Sequence, residues 1–151
     1  RPAFAVEQSI TDTIEDGRGG RHHFRGSLDA VFYGSLDDPD KPETFTIVDW
    51  KTGHKPTDPD QVKEKLAQLD IYRLMFSDLM GIDIDSIDAE LYYVGEKRKE
   101  DRAIVCPHRS RRRIEEALTA ALVARIRQGL LDDDEAQADP DTAAFPQVED
   151  E

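Results

Sequence analysis

The sequence predicts an α/β domain, of mixed α+β type, with a central mixed sheet of about five strands flanked by helices. Five short stretches carry alternating, aromatic or β-branched residues, and two longer ones carry apolar residues at helical steps of three and four. Turn-forming residues separate them in the order three strands, helix, two strands, helix. This order indicates a mixed sheet with helices packed against it.

The strands are predicted at 3–10, 24–33, 44–51, 89–94 and 102–106. The run Asp16-Gly17-Arg18-Gly19-Gly20 is a strong turn signal, so the first two strands are predicted to form a hairpin. Because side chains alternate along a strand, Leu28, Ala30 and Phe32 are predicted on one face of the second strand, and Asp29, Val31 and Tyr33 on the other.

Both helices carry start and stop signals. Asp58 is the predicted N-cap of the first, with Pro59 at its first position, Gln61 reaching back to the cap, and Gly81 at its end. Gln68 and Tyr72 are four residues apart and therefore share one face of this helix. The second helix is predicted to begin at Ser110 and to end at Gly129.

Length and composition indicate one folded domain at 1–131, followed by an acidic segment at 132–151 that is predicted to be a disordered tail or linker. The chain opens with Arg1-Pro2, which suggests a piece of a longer protein. Cys106 is the only cysteine, so a reducing, cytoplasmic setting is expected. No apolar run is long enough to span a membrane.

The net charge of −13 is unevenly distributed, because nine of the acids lie at 132–151 and only −4 remains for the rest. Basic residues cluster at 97–113, including Arg109, Arg111, Arg112 and Arg113. Two interpretations stay open: a solvated hairpin tip and helix start, or a patch that contacts phosphates of DNA.

The stretch from Thr46 to Gly53 holds the candidate chemistry. Along a strand, Asp49 and Lys51 point to one face and Val48 and Trp50 to the other. A carboxylate that follows an apolar run is costly to bury unless it is paired or binds a metal. Asp29 lies on the neighbouring predicted strand, and two such carboxylates can chelate one hard divalent cation such as Mg²⁺. A nearby lysine can then orient water or stabilise developing charge.

Three segments resemble, in order, the motifs of the PD-(D/E)XK nuclease superfamily, and most closely its RecB-like exonuclease branch. They are the G-x-x-D run Gly26-Ser27-Leu28-Asp29, the D-x-K-T-G run Asp49-Trp50-Lys51-Thr52-Gly53, and the Q-x-x-x-Y run from Gln68 to Tyr72. The resemblance implies a restriction-endonuclease-like core and a DNA nuclease that uses Mg²⁺ or Mn²⁺. It also implies a helicase or ATPase domain in the same or a partner chain.

Carried over residue by residue, the resemblance implies that Asp29, Asp49 and the Trp50 backbone carbonyl bind the metal. Lys51 would be the catalytic lysine, and Gln68 and Tyr72 would support the site. The family's further helix, which supplies another metal ligand, does not fit before Ala3. Some relatives carry an iron–sulfur cluster held by four cysteines, and Cys106 alone cannot provide one.

Two alternative functions belong to other functional classes. A non-catalytic domain of the same fold could bind DNA or organise an assembly, although it would have little reason to keep Asp29, Asp49 and Lys51. Alternatively, the acidic segment itself could be the functional part of an interaction domain.

Overall fold

A computed structural model describes residues 3–15, 21–127 and 136–138. The strands are β1 (Ala3–Glu15), β2 (Arg21–Tyr33), β3 (Phe45–Lys51), β4 (Ile87–Tyr93), β5 (Ala103–Val105) and β6 (Ala136–Ala138), and the helices are α1 (Pro59–Met80) and α2 (Arg111–Arg127). Short 3₁₀ turns at Ile84–Ser86 and Lys99–Asp101, which the sequence did not indicate, precede β4 and β5. The order of the first seven elements confirms the prediction.

The sheet is mixed, as predicted, with β1, β2, β3, β4 and β5 side by side in chain order. The pairs β1–β2, β2–β3 and β4–β5 are antiparallel. By contrast, β3 and β4 are parallel, and the chain between them includes α1. The parallel crossover brings β4 beside the strand that carries Asp49 and Lys51.

The acidic segment contributes one strand, since β6 pairs in parallel with His22–Phe24 of β2. Residues 136–138 of this segment thus pair through their backbone, which does not require a large apolar side chain, and the assignment of 132–151 as a tail or linker stays a prediction. The rest of the predicted tail, the predicted turn at 16–20 and the predicted stop at Gly129 lie outside the described residues.

The predicted caps at the two ends of α1, Asp58 and Gly81, are confirmed. The Asp58 side chain accepts a hydrogen bond from the Asp60 amide at 3.0 Å. Gly81 has φ +66°, a left-handed conformation that suits glycine, and its amide donates to the Ser77 carbonyl at 2.9 Å. These caps fix the first and last residues of α1. They thereby fix the positions of Gln68 and Tyr72 along the helix axis.

The middle turns of α1, unlike its last turn, are buried on all sides, whereas the helical spacing of apolar residues suggested one apolar face. The helix contacts β1, β4 and α2, and residues 69–77 are all buried. In the last turn, Leu79 is 55% exposed. A helix enclosed by a sheet and a second helix has no solvent face in its middle turns.

Buried and exposed side chains do not alternate strictly along β2 beside Asp29. Leu28, Ala30 and Val31 are all buried. Val6 pairs with Ala30 and Gln8 with Leu28, so Glu7 lies across from Asp29, and Glu7 has φ +51°. A positive φ is uncommon outside glycine, and irregularities of this kind redirect side chains next to functional sites.

Candidate active site

Asp29 and Asp49 are neighbours across the β2–β3 pair. Ala30 pairs with Val48, which puts the two aspartates at adjacent positions on the two strands. The Asp29 Oδ2 accepts a hydrogen bond from the Trp50 amide at 2.9 Å. This bond fixes the Asp29 carboxylate against the backbone of β3, and the register brings it beside the carboxyl group of Asp49.

The pKa of Asp49 is raised from 3.8 to about 6. Burial is the main cause, because it disfavours the charged carboxylate, and a hydrogen bond to Asp29 adds to it. Lys51 opposes the shift through its positive charge and its own hydrogen bond. Two carboxyl groups thus lie beside the single ammonium group of Lys51. The negative charge of the site is therefore incompletely compensated.

Lys51 lies on the same face as Asp49, as predicted, and its Nζ is 3.1 Å from the Asp49 Oδ2. In the parallel pair, Asp49 is opposite Leu91 and Lys51 is opposite Tyr93. Trp50 points to the other face and is 45% exposed. Metal binding by the Trp50 carbonyl stays a prediction.

A small cavity of about 30 Å³ lies against the two aspartates. Its described lining comprises Ser27, Leu28, Asp29, Ile47, Val48, Asp49, Leu69 and Tyr72. Space of this size holds about one or two water molecules beside polar groups. Tyr72 therefore reaches the site from α1, whereas Gln68, half-buried one turn earlier, is not among the described lining residues.

Gly26 makes room for Tyr72, a role that sequence analysis missed. A Cβ placed on Gly26 would lie 2.5 Å from the Tyr72 Oη and 2.8 Å from its Cε1. No side chain fits there without displacing the ring. The glycine of the G-x-x-D run is thus explained by packing between β2 and α1, which sequence spacing alone does not reveal.

The loop after Lys51 is held by the turn after β4. The Val94 amide donates to the Lys51 carbonyl at 3.0 Å, and the Lys55 amide donates to the Glu96 Oε1 at 2.7 Å. A Cβ on Gly95 would lie 2.8 Å from the Gly53 carbonyl oxygen. This close backbone approach fixes the strand end that carries the catalytic candidates.

The donor set fits a hard divalent cation in part. Asp29 and Asp49 supply carboxylate oxygens, the ligand type that Mg²⁺ and Mn²⁺ prefer, and Mg²⁺ commonly keeps several waters. Within residues 3–15, 21–127 and 136–138, no group of three or more His, Cys, Asp or Glu side chains is placed to hold a metal. The described residues therefore offer two protein carboxylates toward such a site.

The predicted DNA-contacting arginines occupy different environments. Arg109 is 8% exposed, and its Nη1 is 3.3 Å from the buried Asp70 Oδ2, so it belongs to the core, and its contact with DNA stays a prediction. Arg111 pairs with Asp78 at 2.7 Å. Arg112 is exposed and pairs with Glu116 at 3.0 Å, and Arg113 is half-buried. Asp70 and Asp78 lie far from these arginines in the chain, so the sequence did not reveal them as partners, whereas Glu116 is four residues after Arg112 in the same helix.

Comparison with known proteins agrees with this geometry. The sequence profile of the PD-(D/E)XK nuclease superfamily matches residues 3–144. Two neighbouring carboxylates, a lysine two residues after one of them and a mixed sheet flanked by helices define a nuclease-type domain, and the chain belongs to the PD-(D/E)XK nuclease superfamily. Searches of curated proteins and of solved structures gave no significant match.

Among the described residues, neither α1 nor α2 combines the length and apolar character that a bilayer crossing needs.

Proposed function

We propose that this chain is a divalent-metal-dependent deoxyribonuclease module that hydrolyses phosphodiester bonds of DNA with Mg²⁺ or Mn²⁺. The observation that carries the proposal is the pairing of Asp29 with Asp49 beside Lys51, where the Asp49 pKa is raised to about 6. Half-buried like charges of this kind are costly in a purely structural role, and strongly shifted pKa values are typical of functional sites. Membership in a nuclease superfamily supports the same conclusion.

In the proposed mechanism each residue has a separate task. Asp29 and Asp49 hold the cation, with the Trp50 carbonyl as a further oxygen donor. When bound, the cation supplies Lewis-acid polarisation of the phosphate and a water of lowered pKa. Lys51 orients the attacking water and offsets the charge that develops on the phosphate oxygens. Tyr72, packed on Gly26, and Gln68 keep these groups in position.

The finer parts of the proposal rest on the resemblance of the three motifs. We propose exonuclease activity of the RecB-like type, a helicase or ATPase domain in the same or a partner chain, and a role in DNA repair in the cytoplasm. We also propose that residues 1–131 form the nuclease core and that 132–151 form a tail or linker that contributes β6. Of the basic residues, Arg112 and Arg113 are the better candidates for DNA contacts, because Arg109 is buried.

The decisive test is cleavage of labelled single- and double-stranded DNA by the full protein with Mg²⁺ or Mn²⁺. Asp49→Asn and Lys51→Met are each expected to lower the rate by at least about 100-fold, the usual scale for losing an electrostatic or proton-transfer group. Asp37→Asn and Lys63→Ala make the same kinds of charge change at exposed positions and are expected to retain parental rates. Cleavage at parental rates by either site variant would contradict the assignment.

A non-catalytic DNA-binding domain is the second candidate, and the presence of two carboxylates without a third described ligand favours it. It predicts DNA binding without cleavage in either metal, and DNA affinity that Asp49→Asn leaves unchanged or raises. The proposed nuclease predicts instead metal-dependent cleavage that this variant removes.

A further inference from the structure

Tyr93 is a buried tyrosine beside the site to which the proposed mechanism assigns no task. It is 3% exposed, and its hydroxyl has no hydrogen-bond partner among the described residues. An isolated buried hydroxyl is unfavourable, since it has lost water without gaining a protein partner. A phenylalanine would fill the same space without that cost. The presence of the hydroxyl therefore indicates a hydrogen-bond partner in another state of the site.

The sheet register places Tyr93 directly across from Lys51, the proposed catalytic lysine. Tyr93 on β4 is directly opposite Lys51 on β3, and in this parallel pair both side chains stand on the face that carries Asp49. The charges of Lys51 and Asp49 both act on the pKa of Tyr93, although burial is the first cause of its upward shift. The phenol and the ammonium are thus electrostatic neighbours.

Lys51 needs a second partner if it is to act in catalysis. Its Nζ lies 3.1 Å from the Asp49 Oδ2, the same carboxylate that would hold the cation. An ammonium beside a carboxylate that has taken up a dication meets repulsion between like charges. The lysine must then move to a neutral acceptor, and a phenol oxygen has lone pairs that can receive an N–H.

We propose that Tyr93 is a positioning residue for Lys51, whose ammonium donates a hydrogen bond to the Tyr93 hydroxyl when it leaves Asp49. This inference rests on the proposed nuclease function, because it explains how Lys51 stays aligned once Asp49 serves another ligand. Tyr93 itself does not touch the substrate. The alternative is a core tyrosine whose hydroxyl binds a buried water.

The first experiment needs neither metal nor cleavage. Asp49→Ala removes the carboxylate partner, and NMR then measures the exchange with water of the Lys51 ammonium protons. Adding Tyr93→Phe is expected to accelerate this exchange by about three- to tenfold, the equivalent of one lost hydrogen bond. Equal exchange rates in Asp49→Ala and Asp49→Ala/Tyr93→Phe would overturn the proposal.

Tyr92→Phe is the matched control. It removes the same atom from the adjacent residue of β4, but Tyr92 is opposite Trp50 and faces away from Lys51. In the Asp49→Ala background it is expected to leave the exchange of the Lys51 ammonium unchanged. An equal acceleration by both tyrosine variants would also overturn the proposal, because the effect would then be unspecific.

The second experiment is kinetic and uses the full protein. Tyr93→Phe is expected to lower kcat about tenfold with KM unchanged, while resistance to urea is equal or higher because an unpaired hydroxyl is gone. Parental kcat with higher stability would identify a core tyrosine only. If the parent protein cleaves no DNA, the nuclease proposal fails, and the exchange measurement still decides whether Tyr93 holds Lys51.

Discussion

Three influences act on the pKa of Asp49, and they do not all shift it in the same direction. Burial and the neighbouring Asp29 raise it toward about 6, and Lys51 lowers it. Near neutral pH this carboxyl group is therefore closer to its protonated form than an ordinary aspartate. A metal ligand must be deprotonated, so proton release and cation binding are coupled at this residue.

We therefore expect Mg²⁺ affinity to rise with pH. Between pH 5 and pH 6, below the raised pKa, the affinity should increase up to about tenfold per pH unit, and it should level off above pH 7. Isothermal titration calorimetry across pH 5–8 measures this. The exposed-site variant Asp37→Asn should follow the parent, whereas an affinity that is flat from pH 5 to 7 would exclude Asp49 as a ligand.

The contact between Gly26 and Tyr72 gives a second prediction at a single residue. Gly26→Ala should destabilise the fold by about 1–3 kcal/mol, because its Cβ would overlap the Tyr72 ring. Urea unfolding measures the loss. Adding Tyr72→Phe, which removes the atom nearest to the new Cβ, should recover part of it. A Gly26→Ala protein as stable as the parent would show that this packing is not close.

Among the secondary-structure elements, α1 is joined to its neighbours by a buried ionic cluster. The Asp70 Oδ1 is 3.4 Å from the Arg73 Nη1, and the Asp70 Oδ2 is 3.3 Å from the Arg109 Nη1. The Cys106 Sγ donates a hydrogen bond to the Asp70 Oδ1 at 3.2 Å. Arg73 also donates to the Ile87 carbonyl at 2.7 Å and the Ile84 carbonyl at 2.9 Å. The cluster connects α1 to the start of β4 and to the segment before α2.

Removal of the central acid should destabilise this arrangement strongly. Asp70→Ala leaves two buried guanidinium groups without their carboxylate, which costs about 3–5 kcal/mol. Chemical denaturation measures the change. Cys106→Ala removes a smaller partner from the same cluster, so its effect should be clearly lower. If the two variants lose equal stability, Asp70 is not the centre of the cluster.

For the molecule as a whole, Asp12 and Asp49 are two carboxyl groups whose raised pKa values lie close enough to neutral pH to contribute to the pH dependence of stability. The pKa of Asp12 is raised to about 7, first by burial and then by a hydrogen bond and like charge from Asp78, which Arg111 partly offsets. The pKa of Asp49 is raised to about 6. Asp12 connects β1 to α1 and Asp49 lies in the site, so the two act at separate places.

Both groups should make the protein less stable as pH rises. Between the ordinary pKa of 3.8 and the raised values, the folded state holds more protons than the unfolded state. The free energy of unfolding should therefore fall from pH 5 to pH 8, with Asp49 contributing about 1 kcal/mol over this range. Unfolding of the parent and of Asp12→Asn/Asp49→Asn at both pH values measures this.

The double variant should show a flatter profile than the parent and higher stability at pH 8. Asp37→Asn/Asp38→Asn, a pair of changes in the exposed turn before β3, should keep the parental slope. A parent protein that gains stability from pH 5 to pH 8 would contradict the raised pKa values.

The sequence by itself determined the element order, both ends of α1 and the face that Asp49 shares with Lys51. These features depend on local rules: caps act within one turn, and side chains alternate along a strand. The mixed sheet also followed from the order of strands and helices. The motif spacing was sufficient to place the chain in its nuclease superfamily.

Only the tertiary structure decided which residues meet across the sheet and the helices. The parallel crossover sets Tyr93 beside Lys51, Tyr72 needs the space that Gly26 leaves, and Arg109 turns inward to Asp70. The short strand at 136–138 likewise exists through its pairing with β2. Such contacts join residues far apart in the chain, and their energies depend on burial and distance, which local periodicity does not encode.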